Sequence, residues 1–343
     1  APLLAQEEAD KEFGDKVSFL DDDGNPQTVE NVKVVSATYE TVEYALRGGG
    51  SKHQKDGGKI IFVIYGDAPG VYLSGRTSLA RKQYKQAASD FDGAKNAVEG
   101  GFVRAWLLEY AALYKGQALI GLNRNDPAGL EDAIAEFKAA LAANPKSLMY
   151  NQIQLGLAEA YALQKRWADA KAAAAELQTV GETIRQPIWQ TLALRAQAEN
   201  LIAQGHYPEA VNAYEAMVAL ASREQRFAKG ETTLKRLKAL EVEGAVEQGW
   251  AKVAWAASSG NQATWDQAKS TFNALKSKYA DSELVLAAAL NGTGRVLLET
   301  DPRAALLLFT EAEVTHFTAR REVARALYLK AQALTKMGNK RKA

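Results

Sequence analysis

Residues 130–145, LEDAIAEFKAALAANP, constrain the fold more than any other stretch of the chain. Ala133, Phe137, Ala140 and Pro145 follow one another at spacings of four, three and five. Positions three and four apart share a helix face. A small, a large and a second small residue therefore stand in line, where one helix can press closely on another. Pro145 then ends the helix. The triplet recurs from the anchors Ala87, Ala133, Ala170, Ala210, Ala268 and Ala305. Four residues on stand Phe91, Phe137, Ala174, Tyr214, Phe272 and Phe309; seven on stand Ala94, Ala140, Leu177, Met217, Leu275 and Ala312. Five of the six residues four on are aromatic, more than chance composition supplies, so the register is a real repeat.

Most anchors follow a companion helix with its own signature: a small residue, a large one three on and a turn residue seven on. Gly116, Leu119 and Asn123 form one set; Ala158, Tyr161 and Lys165 another; Ala198, Leu201 and Gly205 a third; Ala331, Leu334 and Gly338 the last. Paired helices repeating in this way resemble the tetratricopeptide (TPR) family, whose period is about 34 residues. Here the gaps between anchors run from 37 to 58, so helices or loops are longer than consensus. Residues 125–129 lengthen the turn inside the second repeat, and 222–249 read as an extended charged helix with a break near Gly230.

The resemblance covers residues 68–343 and implies an α-α superhelix of six helical hairpins plus a capping helix. It further implies a groove lined by the first helix of each hairpin, used to bind a protein or peptide. Carried onto this chain, the groove positions are Leu113 and Gln117, Leu155 and Glu159, Arg195 and Glu199, with Trp250 as an addition. Some family members clamp a peptide carboxylate with basic residues and asparagine there. Leu113 and Gln117 replace that set and Glu159 and Glu199 would repel a carboxylate, so this mode is not expected. Trp106, Trp189, Trp250 and Trp255 fall on first helices, where either core packing or partner contact is open to them.

Residues 14–67 follow a different period. Short runs of β-branched and aromatic residues at 17–20, 29–38 and 39–46 predict strands, with a turn at 21–26. The glycine-rich segment 48–58 reads as a hairpin tip and the apolar run 59–65 as a central strand. Four or five antiparallel strands in a small, partly open barrel or curled sheet are expected. So few residues enclose little core alone, so the sheet should lean on the first helices. The expected class is α+β, mainly α: a leader at 1–13, a β domain at 14–67 and a TPR-like array at 68–343.

Composition and motifs point away from chemistry. The chain has no cysteine, which removes disulfides, thiolate metal sites and a cysteine nucleophile. Gly58-Lys59 is followed by Ile60 and opens a strand, unlike a phosphate loop. Asp21, Asp23 and Asn25 imitate the start of a calcium loop, but Pro26 and Val32 occupy its glycine and glutamate positions. His53, His206 and His316 are too far apart for helix-face metal spacing. No cofactor, metal or catalytic residue is expected, nor a small-molecule substrate.

The net charge of +1 offers no global attraction to nucleic acid or membrane. One local exception is a basic run of Arg320, Arg321, Arg325, Lys330, Lys336, Lys340, Arg341 and Lys342 against Glu322 alone. It reads as a solvated cap or as a patch for an anionic surface. Ala1-Pro2-Leu3-Leu4-Ala5 resembles the end of a signal peptide, predicting a bacterial periplasmic or secreted protein, with a cytoplasmic one as the alternative. The expected function is a non-catalytic protein-interaction scaffold using the helix groove, the β domain or both. A structural subunit of a self-associating assembly is the alternative, followed by an enzyme or an anionic-surface binder.

Overall fold

The computed structural model describes residues 13–48, 51–101 and 104–338. Among them, five strands come first: β1 (Asp15–Leu20), β2 (Pro26–Ala37), β3 (Thr41–Leu46), β4 (Lys52–Asp56) and β5 (Ile60–Ile64). Thirteen α-helices follow: α1 (Gly70–Ala80), α2 (Tyr84–Glu99), α3 (Trp106–Leu122), α4 (Pro127–Ala143), α5 (Tyr150–Leu163), α6 (Trp167–Thr183), α7 (Pro187–Gln204), α8 (Tyr207–Glu224), α9 (Glu231–Ser259), α10 (Gln262–Lys278), α11 (Glu283–Leu297), α12 (Pro302–Thr315) and α13 (Arg320–Lys336). This is the α+β, mainly α class expected. The expected leader, Phe13 excepted, and Lys340, Arg341 and Lys342 lie outside the described residues.

The sheet is antiparallel with order β4-β3-β2-β1-β5. β2 is long enough to pair with β1 at one end and β3 at the other, and Asn31, at φ 56°, bends it between the two. The bend curls the sheet until Lys55 Nζ of β4 lies 4.2 Å from the centre of the Phe19 ring of β1. Two expectations are corrected here. Residues 52–56 form an edge strand rather than a hairpin tip, because Thr41 to Ala45 offer a ladder for them. The apolar run after Lys59 is an edge strand rather than a central one: β5 pairs with β1 alone. At 21–25, the Asp21 carboxylate accepts bonds from the Asp23 and Asn25 amides at 3.0 and 2.8 Å, closing its own turn.

The helices form where the small–large register predicts. Every anchor alanine and every residue four on is at most 1 % exposed. The aromatic four on fills a slot opened by glycines of first helices. A Cβ at Gly116 or Gly156 would stand 2.8 or 2.4 Å from the Phe137 ring. Phe272 meets Gly249 and Gly292 in the same way, and Phe309 meets Gly294. Turn residues picked by spacing adopt left-handed backbone: Lys165 (φ 60°), Gly205 (82°) and Gly338 (78°). Asn123 is the exception at −116°, because here Asp126 caps α4 and Pro127 supplies its first residue. The break near Gly230 is real (φ 79°), and α9 runs 29 residues beyond it.

The chain divides into two compact units: Ala1–Asn200 with Arg226–Arg236, and Leu201–Gln225 with Leu237–Ala343. The first holds the sheet, α1 to α6 and most of α7. The second holds α8, most of α9 and α10 to α13.

Candidate functional site

In the first unit the sheet is bolted to the starts of successive first helices. Trp106 opens α3, Tyr150 opens α5 and Trp189 lies in the first turn of α7. Tyr65, just after β5, stacks on Trp106 at 4.0 Å and 8°. Tyr39, between β2 and β3, meets Tyr150 and Trp189 edge-on at 5.2 and 5.9 Å. Arg104, just before α3, joins Asp15 and Asp67. Its guanidinium donates to both Asp15 oxygens at 2.6 and 2.8 Å, and to both Asp67 oxygens at 2.7 and 2.9 Å. Asp15 is fully buried and also accepts from the Val34 and Gly66 amides. Burial works to raise the Asp67 carboxyl, but the Arg104 hydrogen bonds and charge hold it below the usual range.

Glu109, one turn along α3, is buried beneath the same junction. Desolvation pushes its carboxyl up to about 7, against the pull of hydrogen bonds from Asn144 and Ser147. The loop carrying those residues holds the β2–β3 corner: Asn144 Nδ2 donates to the Ala37 carbonyl at 3.2 Å and the Tyr39 amide donates to the Lys146 carbonyl at 2.9 Å. An open cleft of about 490 Å³ lies beside this corner, lined by Tyr39, Glu40, Thr41, Gln54, Lys55, Asp56 and Ile184.

The groove positions separate into two sets. Leu113 is fully enclosed, which corrects its assignment to a groove surface. The cause is that Leu113 lies in the apolar cluster that α3 shares with α2 and α4, so its position is packed rather than open. Gln117, Leu155 and Arg195 are half-buried, and Glu159 and Glu199 are exposed. Arg124 pairs with Glu159, and Arg195 with Glu199 at 3.9 Å. Trp250 is a packing residue in the second unit, 5.4 Å from Phe272 and beneath the Arg325 guanidinium at 4.1 Å.

Four of the five described basic residues of the run are paired with acids. Arg321 reaches Glu247 at 3.1 Å and Arg325 pairs with Glu322. Lys330 and Lys336 pair with Glu313 and Glu299. Burial pushes the Glu247 carboxyl up, although Arg321 and Arg325 oppose it. Arg320 is exposed.

That the sheet leans on the first helices follows from its small size. Which residues make the contact is signalled in the sequence only by an aromatic at the start of three successive first helices. No helix among the described residues is long and apolar enough to cross a membrane.

No family model and no curated protein matches the chain. Among solved structures it is similar to one titled "Crystal Structure of the Apo Form of RapI". The TM-score is 0.50 at 12 % identity, over 78 % of this chain and 71 % of that one. At that identity the likeness speaks to the fold, a TPR-like helical repeat.

Proposed function

We propose that this protein is a non-catalytic interaction scaffold that presents preorganised helix faces to a protein or peptide partner. The observation that carries the proposal is the division of labour along the repeats. Anchor alanines and their aromatics are consumed by packing, whereas on successive first helices Glu159 and Glu199 are exposed and Gln117 and Arg195 are half-buried. A rigid array presenting such residues lowers the ordering cost of binding. Asp15, Asp67 and Arg104 are engaged in holding the sheet, and Glu247, Glu322 and Arg325 in holding the last helices, which supports binding over catalysis.

Recovery of partners from the producing cells by the unaltered chain, compared with a Gln117→Ala/Arg195→Ala/Glu199→Ala variant, tests the helix-face role. Loss of specific proteins from the variant is the expected result. Unchanged recovery removes that role.

A second reading, self-association, is favoured by the last helices, where Leu307, Phe317 and Tyr328 are 65 to 71 % exposed. Light scattering over a concentration series tests it, and a constant monomer mass ends it.

A further inference from the structure

The two edges of the sheet are built differently. β4, at one edge, reads Lys52-His53-Gln54-Lys55-Asp56, a charged row of the kind that discourages strand pairing. β5, at the other, reads Ile60-Ile61-Phe62-Val63-Ile64, with no charge and no proline. Among the described residues its ladder runs to β1 alone, so it has one side without a neighbouring strand. Val63 is buried opposite Val17, but Ile61, Phe62 and Ile64 are 41, 41 and 51 % exposed. An apolar edge with no such protection is a template for another strand.

We propose that the free edge of β5 takes up an extended, uncharged, apolar segment of a partner protein as a sixth strand. This rests on the scaffold reading but uses a surface separate from the helix faces. Three observations define the occupant. First, the main-chain groups of an edge strand lie in the plane of the sheet, and a chain running alongside at about 4.8 Å matches their spacing. Second, Phe62 and Ile64 share the face of Ser18 and Lys16, their partners on β1, and Ile61 stands at the register shift opposite Ser18 and Phe19, without a β1 partner. The incoming segment therefore runs beside the exposed apolar side chains of Ile61, Phe62 and Ile64, which calls for apolar residues of its own. Third, the flanking charges are already balanced: Lys16 is 2.7 Å from Glu30, and Lys59 is paired with Asp22. The segment needs no charge of its own.

Size distinguishes a partner segment from a second copy. A five-residue strand is roughly 17 Å long. Two such edges joined bury a few hundred Å², well short of the roughly 1,200 Å² of a stable protein interface. A peptide-type contact with affinity on the order of micromolar is the scale this edge supports.

The test uses the full chain and a phage-displayed library of random 12-residue peptides. Enriched peptides are then synthesised and titrated by fluorescence polarisation. The titration compares the unaltered chain, a Phe62→Lys/Ile64→Lys variant, and the Gln117→Ala/Arg195→Ala/Glu199→Ala variant. The expected peptides carry uncharged apolar runs, lose at least tenfold in affinity to the double-lysine variant and bind the helix-face variant unchanged. Hydrogen exchange on the unaltered chain should slow at the β5 amides when peptide is added, a readout that does not depend on how either variant folds. Peptides that bind the double-lysine variant undiminished, or that leave β5 exchange unchanged, overturn the proposal. So does a failure to enrich any peptide. A concentration-dependent dimer abolished by the two lysines would make the occupant a second copy and overturn it as well. If only the helix-face variant loses binding, the scaffold reading survives and the edge assignment fails.

Discussion

Phe137 of α4 lies against Gly156 of α5 so closely that a methyl group on the glycine would stand 2.4 Å from the ring. Gly116 of α3 lies against the same ring, so one aromatic from a second helix locks two first helices together. Gly156→Ala is therefore expected to cost about 1–3 kcal/mol through overpacking. Phe137→Ala should cost about 3–5 kcal/mol through the cavity it leaves. Urea unfolding of both variants checks this. In the second unit Gly292→Ala, 2.2 Å from Phe272, should behave like Gly156→Ala. A change below about 0.5 kcal/mol in the phenylalanine variant would mean that the slot is not where the array is held.

Arg104 is the electrostatic bolt of the sheet dock. Removing it leaves Asp15 fully buried without its counter-charge. Arg104→Ala should cost about 3–5 kcal/mol, and Arg104→Lys should recover little, since an ammonium cannot reproduce the two-sided fork. Adding Asp15→Asn to Arg104→Ala should restore part of the loss by removing the orphaned charge. Thermal melts of the three variants, with Trp106 fluorescence reporting the dock, decide it.

Glu109 gives the dock a dependence on pH. Its carboxyl titrates near 4.5 when unfolded and at about 7 when buried. The folded state therefore holds its proton more tightly, and the stability this brings is complete below pH 4.5. It is lost as pH rises through 7, by up to about 3 kcal/mol. Unfolding free energies between pH 5 and 8 should decline with pH, and Glu109→Gln should remove that component of the decline. An unchanged slope in the variant would place the pH dependence elsewhere.

The described part of the basic run should act in folding rather than in binding. Arg325 touches Glu322, which is fully buried, and also faces Glu247 and the Trp250 ring. Arg325→Ala is expected to destabilise the second unit by about 2–4 kcal/mol while leaving retention on anionic vesicles unchanged. Sedimentation with phosphatidylserine vesicles at low salt, alongside a melt, separates the two effects.

What could be read from the sequence follows from what is local. The positions of Phe91, Phe137, Tyr214, Phe272 and Phe309 are set by spacing within one helix, so they were legible, as were the turn residues Lys165 and Gly205. The misreadings all depend on distant partners. Leu113 occupies a groove register, but it is taken up by the apolar cluster that α3 shares with α2 and α4, and which positions of a helix its neighbours cover is not written in its own spacing. The run after Lys59 has the composition of a central strand, yet whether a neighbour stands on its second side depends on topology. The charges on α13 look unbalanced only because their partners lie elsewhere in the chain, Glu243, Glu247 and Glu313 on other helices and Glu299 in the turn before α12. Nothing in one sequence shows which aromatic at the start of a helix meets Tyr39 or Tyr65.

On the proposed reading the chain binds partners through its helix faces and the β5 edge. Quantitative affinity purification from the producing cells tests it most directly, using the unaltered chain, the Gln117→Ala/Arg195→Ala/Glu199→Ala variant and the Phe62→Lys/Ile64→Lys variant in parallel. The account predicts specific partner proteins above background with the unaltered chain, each lost from one of the two variants. Equal recovery from all three, or nothing above background from any, would contradict it.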